Sequence, residues 1–517
     1  MAAEAGRRWS IRRAAVGVTL LTGLSTLLGL ARDIVIAAVF GAGPELDAYL
    51  VAQGLMNIVL GLIAGAMARS VTPVAAREAA GEGDRRGDCP GHHGIDVAIT
   101  VTMIVLGLAG LVMGLLAGPV TTVLAPGFGP DQAALTEQLT RIVLIATVLI
   151  SGTNLLAGLA HGHGRFRWAA AQGIPFNLIM IVAATVAGPQ FGVLALAVGF
   201  VVGSAARLLL QLIPLAELGL RIRPSLDLRD PGFRQITTMV PPLLLGSAVG
   251  NVNVLVDRAV ASTLDEGSIT ALSYGWRLIS LPETILIASL LVPLYPALGA
   301  AAADLGERRR LVGRGLAVAV TVLTPLVICL AVAAPWLVGM VFGHGAFDAV
   351  AVEKSATAVL WYAPALLALG VRSVLLRAAH AFGDARGPVL VSIIAMVINV
   401  VGDLTLGPLF GIPGLAFSTT VSLVLAALIN GWLLARRHHA VAAATTVPLL
   451  LRALGLGVAA TAAGLAVRFG LAGFGLPDFA LAAAIGIAVC GTYLAGLFLL
   501  RAPERLLLGE LLPRRRR

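Results

Sequence analysis

Apolar runs of about twenty residues follow one another along almost the whole chain, separated by short stretches rich in Gly, Pro or charge. A run of that length matches the hydrocarbon thickness of a bilayer, and within lipid an α-helix satisfies its own backbone hydrogen bonds. Turn signals and charge clusters predict fourteen helices, at 14–40, 46–72, 95–118, 138–160, 168–188, 191–214, 235–260, 268–299, 312–341, 355–382, 388–406, 413–435, 449–469 and 479–500. Several exceed the minimum spanning length, which implies tilt or an extension beyond the membrane. The expected fold class is all-α and polytopic.

Composition agrees. Of the 517 residues 58% are hydrophobic and only 12% charged, against roughly a quarter charged in soluble domains; mean hydropathy is +0.93. A net charge of +10 raises nucleic acid as a partner, but the placement of the arginines argues for a membrane instead. With the N-terminus assigned to the inside, the inside segments carry Arg7, Arg8, Arg12, Arg13, Arg85, Arg86, Arg165 and Arg167. They continue with Arg221, Arg223, Arg229, Arg234, Arg308–Arg310, Arg386, Arg436, Arg437 and the terminal RRRR. The outside connections, such as GAGPEL, TLDEGS and GPLFGIPG, hold little positive charge beyond Lys354 and Arg468. This alternation follows the positive-inside rule and leaves both termini in the cytoplasm. MAAEAGRRWSIRR leads into a long apolar run without a small-x-small cleavage site, so it opens a retained helix.

Other chemistries find little support. Cys89, Cys329 and Cys490 show no paired spacing, so neither a disulfide framework nor a metal site is expected. The histidines lie in turns and loops without a ligand set. No Walker A motif is present, so neither ATP hydrolysis nor a cofactor is expected.

An internal repeat organises the chain. LAHGHGRFR, from Leu159, matches AAHAFGDAR, from Ala378, with His161 on His380, Gly164 on Gly383 and Arg167 on Arg386. The same offset carries GPQFGVLALA at 188–197 onto GPLFGIPGLA at 407–416. Predicted helices 4–6 thus correspond to helices 10–12, and an even number of spans separates them. The expected organisation is an N-terminal lobe at 1–220 (helices 1–6), a parallel C-terminal lobe at 221–437 (helices 7–12), and helices 13–14 with a basic tail at 438–517. Parallel repeats of this kind are a transporter architecture that permits alternating access.

Several charges fall inside apolar segments, where each costs roughly 2.5–3.5 kcal/mol on insertion scales and therefore faces a cavity or a partner. Arg32 and Asp33 lie in helix 1, Asp47 and Arg69 in helix 2, Asp257 and Arg258 in helix 7, Arg277 and Glu283 in helix 8, and Arg372 and Arg377 in helix 10. They concentrate in the first two helices of each half, the expected walls of a cleft between lobes. Arginines there suit an anion, because guanidinium binds phosphate bidentately and stays charged when desolvated. Asp257 and Arg258, near a helix end, also read as a structural ion pair.

The stretches GLARDIVIAAVFGAGPELDAYLVAQGLMN, SVTPVAARE and YGWRLISLPETILIASLLVPLYPAL resemble the MurJ (MviN) lipid II flippases, relatives of the MATE exporters and polysaccharide flippases. The shared pattern is Arg-Asp in helix 1, Phe-Gly-x-Gly, Asp-Ala-Phe/Tyr before helix 2, and Arg-Leu with Leu-Pro in helix 8. The resemblance implies translocation of undecaprenyl-diphosphate-linked peptidoglycan precursor across the bacterial cytoplasmic membrane, without bond cleavage. It also implies a cationic cavity. Residue by residue it assigns the helix 1 pair to Arg32 and Asp33, the helix 2 carboxylate to Asp47 and the helix 8 arginine to Arg277. Helices 13 and 14 would form a groove for the prenyl tail. The partners implied are a lipid-linked diphosphate, membrane lipids and a coupling ion.

The chain departs from that pattern in two places. Thr26 stands where the family has an earlier helix 1 arginine, and Leu60, Gly61 and Gly65 stand around the positions of a helix 2 arginine pair. Arg69, on the same helix, is a candidate substitute. Export of another lipid-linked polysaccharide or a small amphiphile, and a non-transporting scaffold for cell-wall enzymes, remain alternatives at this point.

Overall fold

The computed structural model describes residues 2–59, 64–79, 90–284, 298–299, 304–471 and 473–506; the side chains of 2–16, 58–59, 78–79, 90–92, 242–243 and 245–250 lie outside the description. Every regular element among them is helical. The first compact unit, Met1–Gly267 with Gly345–Phe347, contains α1 (Ala2–Phe40), α2 (Pro44–Val59), α3 (Gly65–Ala79), α4 (Pro90–Leu115), α5 (Ala117–Leu124) and α6 (Pro130–Gly162). It continues with α7 (Phe166–Ala171), α8 (Gly173–Val182), α9 (Gly188–Phe191), α10 (Val193–Leu218) and α11 (Pro231–Ala261). The second unit, Ser268–His344 with Asp348–Arg517, contains α12 (Ser268–Pro282), α13 (Leu305–Val332), α14 (Ala334–Phe342), α15 (Ala349–Ala381), α16 (Arg386–Phe410), α17 (Ile412–His438), α18 (Ala443–Leu471) and α19 (Asp478–Leu499). The units divide at Gly267, so α11 groups with the first unit, whereas the repeat places a lobe boundary at 220.

Among the described residues eleven helices are long and apolar enough to cross a membrane. They correspond to predicted helices 1, 3–6 and 9–14. Predicted helix 2 runs through 60–63, helix 8 through 285–297, and helix 7 through the undescribed side chains of α11, so the remaining three expectations fall partly outside the description. The same holds for Leu60 and Gly61, for Cys89, Arg85 and Arg86, for the terminal arginines, and for the distal Pro motif of helix 8. Large apolar side chains such as Leu108, Leu111 and Leu115 on α4 and Leu404 and Leu409 on α16 stand exposed. In water they would be a liability; facing acyl chains they are at home.

The backbone repeats with the offset read from the sequence. α6 and α15 are each 33 residues long and start at Pro130 and Ala349; α10 and α17 start at Val193 and Ile412, the same distance apart. Each central helix organises its unit: α6 packs on α2, α3, α4, α5 and α10, and α15 packs on α12, α13, α14 and α17. The turns that follow match as well. Gly164 and Gly383 hold φ of 76° and 80°, and Gly192 and Gly411 hold 58° and 65°, conformations that glycine adopts without a Cβ penalty. These glycines reverse the chain tightly enough to lay the next helix antiparallel against the last.

Candidate functional site

In the first unit the charged pair of α1 meets α8. Arg32 Nη2 and Nε donate to Asp33 Oδ1 at 2.7 and 3.0 Å, and Arg32 Nη1 donates to Asn177 Oδ1 at 3.2 Å. The Asn177 amide in turn donates to the Ser25 carbonyl at 3.1 Å, tying α8 back to α1. Only 20% of the Arg32 side chain and 14% of Asp33 remain accessible, so the pair is largely desolvated and its geometry counts for more than that of a surface ion pair. Tyr49, buried on α2, lies within electrostatic reach of both.

Two residues that the sequence reading passed over complete this site. The Arg32 guanidinium lies over the Phe176 ring at 5.7 Å from its centroid, and the Arg207 guanidinium, from α10, lies over the same ring at 5.2 Å. Phe176 is buried and held edge-on against Phe200, with centroids 5.2 Å apart at 89°. Among the described residues Arg207 has no hydrogen-bond or ion-pair partner, and its Nε is buried. A desolvated cation–π contact returns roughly 2 kcal/mol or more, against an insertion cost of roughly 2.5–3.5 kcal/mol. The signal was present: Arg207 is a lone charge near the middle of the apolar run VLALAVGFVVGSAARLLLQLIP.

The other first-unit candidates sit apart from this cluster. Asp47 is buried and accepts a hydrogen bond from the Gly267 backbone N–H at 2.8 Å, so its carboxylate fixes the turn that precedes α12. Arg69 stands exposed on α3, a helix that packs on α4, α6 and α11. Arg258 donates to the backbone carbonyl of Leu50 on α2, an interhelical contact in keeping with a structural role.

In the second unit Arg277 is half-buried on α12, and Glu283, just beyond that helix, faces Arg372 of α15 electrostatically. Arg372 also donates to Ser392 Oγ of α16 at 2.9 Å. A second constellation, absent from the sequence reading, joins α16 to α17. Asn399 Nδ2 donates to Asp403 Oδ1 and to Ser418 Oγ, each at 3.1 Å, and Ser418 Oγ donates to the Asn399 carbonyl at 2.9 Å. Thr419 lies alongside at 3.5 Å from Asn399 Nδ2. Asp403 and Asn399 are 0% and 1% accessible. A carboxylate so completely buried in a membrane-spanning helix marks a functional position by default. Its sequence signal was Asp403 itself, inside VINVVGDLTLGPLF.

Two adjoining apolar cavities of about 720 and 460 Å³ share Val320, Leu367 and Leu450 and run between α13, α15, α17 and α18. The appended helices contribute unequally: α18 lines both cavities and α19 lines neither. The reason is packing. Leu481, Ile485, Val489, Tyr493 and Leu497, spaced by four residues, turn the buried stripe of α19 onto α18 and α13, behind the groove.

Solved structures of membrane proteins share this fold. The structure titled "Lipid II flippase MurJ, inward closed conformation" matches with a TM-score of 0.78 at 19% identity, over 94% of this chain and 98% of that one. An inward-facing multidrug resistance MATE family transporter of the MOP superfamily matches with a TM-score of 0.66 at 16% identity, over 82% of this chain and 98% of that one. At such identities these likenesses establish the fold alone.

Sequence comparison goes further. The chain is 28% identical over 438 residues to the "Probable lipid II flippase MurJ" of Vibrio cholerae, covering 82% of each. It is 29% identical over 434 residues to the "Lipid II flippase MurJ" of Burkholderia cenocepacia, covering 81% of this chain and 82% of that one. The family model described as "Lipid II flippase MurJ" matches residues 36–483. The chain belongs to the lipid II flippase MurJ family and is a multi-pass membrane protein.

Proposed function

We propose that this chain flips lipid II, the undecaprenyl-diphosphate-linked peptidoglycan precursor, from the cytoplasmic to the outer leaflet of a bacterial cytoplasmic membrane, with both of its termini in the cytoplasm. The observation that carries the proposal is the desolvated Arg32, oriented by Asp33 and Asn177 inside a membrane-spanning helix. A guanidinium held in one geometry has lost its side-chain entropy before the ligand arrives, so its bonds to a diphosphate are made at lower cost.

Within this reading Arg32 and Arg277 grip the diphosphate, and Asp33 keeps Arg32 charged and aimed. Asp47 supports the site by fixing the 262–267 turn. Glu283 balances Arg372, and Arg69 offers its charge to the headgroup from α3. The prenyl tail rests in the apolar groove along α18. Acyl chains are as apolar as the groove, so the groove positions the tail and adds little driving force. No bond of the ligand is broken. The buried Asn399–Asp403–Ser418–Thr419 cluster is the seat of the coupling cation or proton, and the membrane potential contributes about 2.3 kcal/mol per charge per 100 mV.

The test is rescue of a bacterium depleted of its own lipid II flippase, with wild type, Arg32→Ala and Arg277→Ala at equal membrane levels. Wild type restores growth and both variants fail; rescue by both variants sinks the proposal. A second reading, another lipid-linked cargo, is favoured by one observation: MNIVLGLIAGAMA lacks the family's helix 2 arginines. Wild type that inserts well and still fails to rescue points to that cargo.

A further inference from the structure

We infer that Arg207 of α10 is a second anion-gripping residue of the first unit's site, closing on the same diphosphate as Arg32 beside the Phe176 ring. This rests on the proposed reading of the Arg32 site. Three observations carry it. First, the two guanidiniums lie over one ring, at 5.7 and 5.2 Å from its centroid, so they are held near each other despite their repulsion. Second, the two arginines are partnered differently. Arg32 has Asp33 and the Asn177 carbonyl oxygen as acceptors, whereas Arg207 has no hydrogen-bond or ion-pair partner among the described residues. Arg207 thus has no anion of its own among the described residues, and a diphosphate would supply one.

Third, the packing around the ring is built for this placement. A Cβ on Gly203, one turn before Arg207, would lie 2.9 Å from Phe176 Cδ2. Any larger residue there would push the ring off α10 and away from Arg207. The glycine thus lets the ring seat against α10 within reach of both arginines.

The experiment uses the purified full chain in nanodiscs, with undecaprenyl diphosphate and undecaprenyl monophosphate as probes and inorganic pyrophosphate as competitor. Arg207→Met replaces the charge with an apolar side chain of similar length. It is expected to weaken undecaprenyl diphosphate binding about tenfold or more, to erase the preference for diphosphate over monophosphate, and to leave the melting temperature unchanged or raised. Arg207→Lys keeps part of the affinity. A merely structural arginine behaves oppositely: its loss lowers the melting temperature and leaves the diphosphate preference intact. Competition by pyrophosphate tells whether the headgroup alone fills the clamp, and in that arm too Arg207→Met must bind more weakly. If Arg32→Ala loses binding while Arg207→Met binds as wild type, the inference falls and the Arg32 site stands. If wild type binds no undecaprenyl diphosphate, both fall together.

Discussion

The segments 130–218 and 349–438 have closely matched long helices, of 33 and 33 and of 26 and 27 residues, and the same glycine turns, yet they carry different chemistry at equivalent positions. In the second, Asn399, Asp403 and Thr419 form a buried polar cluster; their equivalents in the first repeat are Met180, Ala184 and Phe200. In the first, Phe200 instead braces the Phe176 ring beneath Arg32 and Arg207. The backbone differs only locally: residues Ala183–Ala187 widen to a π-turn, while α16 runs unbroken through the equivalent stretch. Such π-turns often accompany functional positions.

Two exchanges show how one scaffold accepts both. At the helix crossing the small residue has changed sides. A Cβ on Gly199 would lie 2.5 Å from Ala183 Cβ, and a Cβ on Gly402 would lie 2.9 Å from Ser418 Cβ. Position 402 is the equivalent of 183 and 418 that of 199, so each crossing needs one glycine, on either helix. At the turns after the two central helices the charge is reversed. Arg165 and Arg167 pair with Glu217 at 3.5 and 2.6 Å; in the second repeat Asp384 pairs with Arg437 at 3.3 Å and His438 at 3.6 Å. Shape is held by backbone and steric rules that tolerate swaps, so polar function could diverge without disturbing the fold.

The comparison breaks most severely at the polar cluster. Asp403→Ala is expected to cut lipid II translocation in energised proteoliposomes by about tenfold or more, since it removes the charged partner of a buried network. Met180→Leu, in the equivalent region of the first repeat, is expected to leave the rate within about twofold, a volume-conserving swap. Equal sensitivity of the two would refute the division of labour.

Next in size is the crossing itself. Gly402→Leu or Gly199→Leu is expected to destabilise by about 1–3 kcal/mol, read as a fall in melting temperature of the detergent-purified protein. Ala183→Gly combined with Gly199→Ser, which transplants the second repeat's arrangement into the first, is expected to melt close to wild type. A double variant as unstable as Gly199→Ser alone removes the swap argument.

The turn after α15 sharpens the comparison with a smaller effect. Asp384→Arg places two like charges together and is expected to cost about 1 kcal/mol or less; adding Arg437→Glu, which restores opposite signs with the polarity of the first repeat, should recover most of it. High salt should shrink both differences. The smallest effect concerns pH. The Gly387 backbone N–H, which donates to Asp384 Oδ1 at 2.8 Å, holds the Asp384 carboxyl below its ordinary range, with Arg437 and His438 adding to it. A lowered carboxyl contributes stability that is fully present above the ordinary carboxylate pKa, about 4, and is lost as pH falls through the lowered value. The melting difference between wild type and Asp384→Asn should therefore be constant near neutrality and vanish in acid.

Much of this was legible in the chain itself. The apolar runs dictated helices, because lipid leaves the backbone no other partner, and the matches of His161 with His380 and Gly164 with Gly383 announced a duplication that the backbone repeats with the same offset. Arg32 and Asp33 stood out because a charge inside an apolar run is rare. What tertiary structure alone decided was which distant residues meet. Nothing local marks Phe176 as the ring between Arg32 and Arg207, or turns Asp47 toward the Gly267 N–H, or sets α19 behind the groove instead of in it. Periodicity and charge are properties of neighbours along the chain, so sequence determined the helices, the repeat and the charges that had to be accounted for. Partnership between residues on separate helices depends on helix rotation and crossing, which glycine contacts and side-chain volumes settle only when the helices pack.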